Sequence, residues 1–397
     1  MLNIRPLEDP ERVRWFLPPS KSHMIRWIAL ASQSESRTNL LFQGEPGSDI
    51  EAMARCMEKM GASIERGIGR WTIRGKEGGL DLPNSTLDCG NSATTANFVS
   101  AIAACMDGPI EIDGDLSLRN RDLSPMTSTL RELGCKVSSG QLPYTVSGPI
   151  TKGKSHIDES YSSQTLSGMV LASPGFPGEV EITLNGEAVS RWYRDLTFES
   201  SRLSGWGGKY GEVVHLDHWS VGTPETIEIP EESSLFPISL LFDKLHGTES
   251  LDYGKFEGTH VADTIEVAIS RKSRQVSLRD TSDIISPLAA LMAIGNGGEI
   301  VEAAHARGKE SNRVYSTIRM LSSFGIEVEE RTGGLAMSGS QQPSAPSETV
   351  DCENDHRLAM TAAVLATKVG AALSGHEICD VTHPGFFGMI TPKYPGM

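Results

Sequence analysis

The sequence predicts a mixed α/β protein of two similar domains built from repeated helix–strand units, and three observations predict it. First, a phrase recurs in which an amphipathic helix ends on an apolar residue and a glycine and passes into a short strand: CMEKMGASIE at 56–65, LRELGCKVSS at 130–139 and IRMLSSFGIEVEE at 318–330, with a weaker copy, SSRLSGWGGKY, that closes on Gly205. Second, Gly61, Gly134 and Gly205 follow one another at intervals of roughly seventy residues, the mark of a structural repeat. Third, 397 residues exceed one ordinary domain at roughly 150 residues each, and the Pro-rich, acidic stretch 222–232 (GTPETIEIPEE) precedes a fresh apolar helix. A domain crossover near Ile229 follows, with parts of similar size on either side.

Each element has a local reason. Pro18-Pro19-Ser20-Lys21-Ser22-His23 opens a helix over 24–32, proline being tolerated where the first N–H groups have no helical partner. The glycine of each recurring phrase closes its helix in a left-handed conformation that costs other residues more. Cys89-Gly90-Asn91-Ser92-Ala93-Thr94-Thr95 precedes an apolar helix of small residues at 96–104, a short strand lies about Glu111 and Ile112, and Ser162-Ser163-Gln164 precedes a helix at 165–172. Alternation marks strands at 180–184 (VEITL) and 299–301. Past the crossover come apolar helices at 235–245, at 284–294 behind Thr281-Ser282-Asp283, and at 358–366 behind Asn354-Asp355-His356-Arg357. Lys309-Glu310-Ser311-Asn312-Arg313 heads the helix that runs to Phe324, and 339–347 (GSQQPSAPS) reads as a surface loop.

Composition removes several function classes. With 38% hydrophobic and 22% charged residues the chain can bury a sizeable core, and its longest apolar stretches fall far short of the roughly 18 residues that span a bilayer. No membrane association and a cytoplasmic location are expected, since the charged start MLNIRPLEDPERVRW does not resemble a secretory signal. A net charge of −15 opposes a duplex-binding face, so no nucleic-acid partner is expected and any anionic ligand needs a local cluster of cations. The six cysteines, with no C-x-x-C pair, read as buried thiols, and His215 with His218 lacks a third ligand at useful spacing for a metal.

The polar clusters before the helices share one property. Each offers free backbone N–H groups and the positive end of a helix dipole to an anion. Taken alone, each is equally a capping turn, and the run from Lys309 to Arg313 equally a solvated ion-pair face. His356 reads as orienting its neighbours.

Their order along the chain is more specific. P-x-S-K-S-x-x-x-R, G-N-x-x-T-T, S-L-R-x-R, S-S-Q, S-D, K-E-S-x-R and N-D-H-R-x-A-M, in that order over residues 18–360, resemble the 5-enolpyruvylshikimate-3-phosphate synthase family. The sister enolpyruvyl transferases acting on UDP-N-acetylglucosamine lack K-E-S-N-R and N-D-H-R-L-A-M. The resemblance implies two domains, 1–20 with 229–397 and 21–228, each of three repeated β/α units around buried helices, with the active site in the interdomain cleft. It implies transfer of the enolpyruvyl group of phosphoenolpyruvate to the 5-hydroxyl of shikimate 3-phosphate, with no metal or organic cofactor, in a monomer. By motif, Lys21, Ser22, Arg26, Ser162, Ser163, Gln164, Ser190, Asp283 and Lys309 hold shikimate 3-phosphate. Lys21, Asn91, Ala93, Arg121, Gln164, Arg313 and Arg357 serve phosphoenolpyruvate, whose two anionic groups suit guanidinium forks. Lys21, Asp283 and Glu310 are the candidate acids and bases, Asp283 toward the hydroxyl and Glu310 toward the methylene carbon.

Four positions depart from the family pattern. Asn97 and Glu51 stand where arginines are usual, Val381 where a lysine is, and His305 where an asparagine is. The anion pocket is thinner for it, which leaves room for another hydroxylated acceptor or a non-catalytic ligand-binding paralogue. Ala93 stands where many relatives carry glycine, and its methyl is expected to crowd the phosphonate end of glyphosate more than the shorter phosphoenolpyruvate.

Overall fold

The computed structural model describes residues 1–76, 78–270 and 274–391. The chain divides into two compact units, one continuous (Pro19–Glu231) and one discontinuous (Met1–Pro18 with Glu232–Met397).

A single pairing pattern recurs in every sheet: a central strand takes a parallel neighbour on one side and an antiparallel one on the other. In the continuous unit Thr38–Leu41 lies between parallel Thr226–Glu228 and antiparallel Arg70–Arg74, with Ser63–Gly67 outermost. Pro109–Asp113 lies between Leu87–Asp88 and Tyr144–Ser147, with Lys136–Val137 outermost. Val180–Asn185 lies between Lys154–Asp158 and Val213–Leu216. In the discontinuous unit Gly297–Val301 lies between Gln275–Ser277 and Gly334–Ser338, with Glu329–Arg331 outermost. Ala371–Ser374 lies between Val350–Asp351 and Leu2–Ile4. The register of that last pair, Leu2 opposite Leu373 and Ile4 opposite Ala371, ties the first residues to the last repeat and makes this unit discontinuous.

The repeated glycines stand where the sequence puts them, with φ of +97° at Gly61, +90° at Gly134, +110° at Gly205 and +72° at Gly325. At Gly134 space as well as φ requires glycine, because a Cβ would lie 2.1 Å from Thr151 Oγ1.

Each unit is centred on three buried helices packed on one another: Lys21–Ala31, Ala93–Ala103 and Gln164–Ala172 in the continuous unit, Phe236–His246, Ile285–Ile294 and His356–Val369 in the other. Ile285–Ile294 (ISPLAALMAI) is buried at every residue, as its all-round apolar surface requires. More amphipathic helices, such as Ser48–Lys59, Arg191–Leu203 and Arg313–Ser323, cover them. Several helices begin earlier than their apolar runs, at Lys21 rather than 24 and at His356 rather than 358, because the polar cluster itself forms the first turn. Between Phe236 and Ile269 the chain is helical, with no strand among the described residues.

Candidate active site

The predicted site residues fall into two groups, one in each unit. Every buried helix carries at its N-terminal end one of the polar clusters read from the sequence, except Phe236–His246, whose preceding cluster, Glu232-Ser233-Ser234, the sequence reading passed over.

In the continuous unit the first cluster splits its two cations. Lys21 pairs with Asp49 at 3.0 Å, both largely buried. Arg26 is 2% exposed and is held only by neutral acceptors: Thr197 Oγ1 at 2.7 Å, the Ser22 carbonyl at 2.9 Å and the Tyr193 carbonyl at 2.8 Å. No carboxylate pairs with it among the described residues. Burial pulls its pKa down to about 9, with Tyr193 pulling weakly the other way, so the guanidinium is still charged at neutral pH. A buried cation held by neutral acceptors alone is poised for an anion. Ser190, 5% exposed and in the left-handed region (φ 54°), starts the Arg191–Leu203 helix whose Tyr193 and Thr197 grip Arg26, so the first motif and the S-R-W-Y segment meet there.

The remaining motifs of this unit meet at the G-N-x-x-T-T segment. Asn91 accepts from Arg121 at 2.6 Å and donates to Asp115 at 2.8 Å, while Asp115 caps Leu116–Arg119 by accepting from the Leu118 N–H. Ala93 is the first residue of its helix, and Ser92 caps it by accepting from the Thr95 N–H. Gln164 donates to Thr94 Oγ1 at 3.1 Å and accepts from Asn97 at 3.0 Å. Ser162 Oγ accepts from the Gln164 N–H at 3.1 Å, and Ser163 is buried at the same helix start.

In the discontinuous unit three motifs converge on one guanidinium. Arg313 is 1% exposed, with Nε on Asp355 at 2.8 Å, one terminal nitrogen on Asp283 at 2.7 Å, and the other on Glu310 at 2.5 Å and Asp355 at 3.3 Å. Burial alone would lower the Arg313 pKa, but the attraction of Asp355, Glu310 and Asp283 outweighs it and raises the pKa above its ordinary value. Three of its guanidinium N–H groups donate to Asp355 and Asp283, and Glu310 adds an ion pair. Lys309 lies 3.6 Å from the same Asp283 oxygen, so both candidate carboxylate bases and one lysine gather around Arg313.

Arg357 differs from Arg313 as Arg26 does. It is 3% exposed, and its terminal nitrogens donate to the Ser234 carbonyl at 2.8 Å and Ser234 Oγ at 2.6 Å. Ser234 is set in turn by Glu232, which accepts from its N–H and its hydroxyl. His356 is buried beside it at the helix start. Asp355 caps that helix through the Arg357 N–H and also accepts from Ser311 at 3.0 Å.

The departures are as specific. Glu51 pairs with Arg66 at 2.9 Å. Val381 is buried at the end of the His376–Val381 turn. His305 has its Nε2 buried without a hydrogen-bond partner among the described residues, and burial, then the nearby Lys309, pull its pKa down to about 4. His215 is paired with Glu179 at 2.9 Å, and among the described residues no three His, Cys, Asp or Glu side chains gather as a metal would require. Asp49, Thr94, Thr197, Ser234 and Asp355 were not singled out as site residues. Thr94, Ser234 and Asp355 had a usable signal, the polar run before an apolar helix; Asp49 and Thr197 are named only by contacts distant in sequence.

Comparison with known proteins bears on the chain as a whole. The family model for EPSP synthase (3-phosphoshikimate 1-carboxyvinyltransferase) matches residues 13–203 and 248–390. A 3-phosphoshikimate 1-carboxyvinyltransferase of Methanocorpusculum labreanum is 29% identical over 398 residues, covering 93% of each chain, and one of Halobacterium salinarum is 29% identical over 419 residues, covering 96% of this chain and 97% of that one. Among solved structures, EPSP synthase from Acinetobacter baumannii superposes with a TM-score of 0.74 at 21% identity, covering 98% of this chain and 96% of that one, a likeness of fold.

Proposed function

The chain belongs to the EPSP synthase family, and from that membership we propose how its own residues divide the work of the transfer. The protein is an enolpyruvyl transferase of the shikimate pathway: it moves the enolpyruvyl group of phosphoenolpyruvate onto the 5-hydroxyl of shikimate 3-phosphate and releases phosphate.

The observation that carries the residue assignment is the pair of buried arginines that, among the described residues, have only neutral acceptors. Arg26 takes the phosphate of shikimate 3-phosphate, with Lys21, Ser22, Ser162, Ser163, Gln164, Ser190, Asp283 and Lys309 completing that ligand's contacts. Arg357 takes an anionic group of phosphoenolpyruvate, with Lys21, Asn91, Ala93, Arg121, Gln164 and Arg313. An oxyanion delivered to a desolvated guanidinium replaces lost hydration and makes charge-assisted hydrogen bonds.

The chemistry is addition followed by elimination. The 5-hydroxyl oxygen attacks the substituted vinyl carbon of phosphoenolpyruvate while its proton leaves to a base and a proton is added to the methylene carbon, which becomes a methyl group. Loss of a proton from that methyl and expulsion of phosphate then restore the vinyl group, now on the shikimate oxygen. Asp283 is the base toward the hydroxyl, Glu310 exchanges the methyl proton and Lys21 bridges the two substrates. Arg313 holds both carboxylates in place between turnovers. The enzyme works as a monomer in the cytoplasm.

The test is phosphate release with phosphoenolpyruvate and shikimate 3-phosphate together, against each alone, with the enolpyruvyl ether identified by mass spectrometry. Release only with both substrates is expected. Calorimetric binding of shikimate 3-phosphate without release would make the chain a non-catalytic ligand-binding paralogue; neither release nor binding would point to a different acceptor.

A further inference from the structure

Asn97, which stands where the family usually has arginine, is not an idle replacement. It is 5% exposed, and its amide nitrogen spends one N–H on the Ala93 carbonyl at 2.8 Å and the other on Gln164 Oε1 at 3.0 Å. A backbone carbonyl can only accept, so the Asn97 amide has one orientation. Its nitrogen therefore faces Gln164, and Gln164 must turn its oxygen toward it. The Gln164 nitrogen then lies on the opposite side and donates to Thr94 Oγ1 at 3.1 Å. Having accepted there, the Thr94 hydroxyl is left to donate its own hydrogen. The result is a relay that starts at Asn97, anchored by its bond to the Ala93 carbonyl, and runs through Gln164 to Thr94, leaving two donors beyond it: the second N–H of Gln164 and the O–H of Thr94.

We propose that Asn97 is a positioning residue that locks the Gln164 carboxamide with its nitrogen toward Thr94, so that Gln164 and Thr94 together offer two neutral donors to an oxyanion of phosphoenolpyruvate. The relay supplies donors where arginine would have supplied charge, and it makes Thr94 a substrate contact that the motif reading does not include. The inference rests on the reading of Gln164 as a substrate contact.

The experiment measures KM for each substrate and kcat for Asn97→Asp, Asn97→Leu, Gln164→Leu, Thr94→Val and the double variant Asn97→Leu with Gln164→Leu. Asp at 97 is isosteric but can only accept in its ionised form, so it reverses the amide of Gln164 and presents an oxygen to an anion. Its KM for phosphoenolpyruvate is expected to rise by about tenfold or more while kcat falls by less than about threefold, in keeping with loss of one or two hydrogen bonds to a charged group. Thr94→Val is expected to raise the same KM by roughly three- to tenfold. Asn97→Leu is expected to add less than about twofold on top of Gln164→Leu, because the two act through one contact. Effects that multiply in the double variant, or an Asn97→Asp enzyme with unchanged KM, would overturn the positioning role. Gln164→Leu with unchanged KM for both substrates would instead overturn the reading of Gln164 itself. Should Asn97→Asp not fold, Thr94→Val and the cycle with Asn97→Leu decide the matter.

Discussion

Arg26, in the second turn of its helix, and Arg313, at a helix start, are both buried arginines, yet their surroundings predict opposite responses to removal. Arg313→Met takes the cation from Asp355, which is 0% exposed, and from Glu310 and Asp283, and breaking a buried pair from one side costs about 3–5 kcal/mol. Arg26→Met leaves only a hydroxyl and two carbonyls short of a donor, a loss of about 1 kcal/mol apiece. Against that stands relief of a buried charge. A folded-state pKa lowered from the ordinary arginine value to about 9 means that the charged form, the one present at pH 7 in both folded and unfolded chains, is penalised on folding. The penalty, on the order of several kcal/mol, is of the same size as the lost hydrogen bonds. Arg26→Met is therefore expected to leave stability within about 2 kcal/mol of the parent or to raise it, and to weaken shikimate 3-phosphate binding by about a hundredfold or more through two or more lost charge-assisted bonds. The assay is urea unfolding followed by tryptophan fluorescence, with Trp27, Trp71, Trp192, Trp206 and Trp219 in the continuous unit and Trp15 alone in the other, beside calorimetric titration with shikimate 3-phosphate. Loss of more than about 3 kcal/mol in Arg26→Met, or unchanged binding, would refute the reasoning from counter-charges.

Lys21→Met and Asp283→Ala are expected to lose turnover by about a hundredfold or more with a much smaller loss of stability, though Lys21→Met leaves the buried Asp49 short of a partner; a fall in melting temperature that accounts for the lost activity would make both residues structural. The discontinuous unit should be the more acid-sensitive, because burial lowers His246, His260 and His305 to about 4 and shifts His383 in the same direction. Unfolded histidines take up protons below about pH 6.5, so stability present above that pH is lost on descending to about pH 4. Hydrogen exchange of peptides from the two units at pH 7 and pH 5 checks it, and equal acceleration in both units would count against the buried histidines. Ala93→Gly is expected to lower the inhibition constant for glyphosate by removing the methyl at the helix start; an unchanged or higher constant would end the crowding idea.

Much of the site was legible because it is local. A polar cluster before an apolar run marks a helix start, and cations, hydroxyls and amides at such starts point to anions whatever the rest of the chain does. The repeating glycines likewise announce themselves, since only glycine closes a helix cheaply at positive φ. Asp355 shows the other case. Its aspartate stands in a motif that reads as a cap, and it does cap, but its larger role is to neutralise Arg313, 42 residues away in sequence. Arg357 reads as a phosphoenolpyruvate ligand without any hint that Ser234, 123 residues earlier, aims it. Asn97 reads as a missing arginine, and only its contacts with Ala93 and Gln164 turn the loss into a relay of neutral donors.

By itself the sequence determined the helices and their caps, the repeated α/β unit, the excess of acidic residues and the set of motifs by which it resembles its family, because each depends on residues within a turn or two of one another. Tertiary structure alone decided that Leu2–Ile4 closes the last sheet, which arginines are matched by carboxylates and which are left for an anion, and which way the Gln164 amide points. Those are properties of pairs far apart in the chain. Their geometry exists only after the buried helices have packed and the low dielectric around them has made each unmatched charge or amide costly.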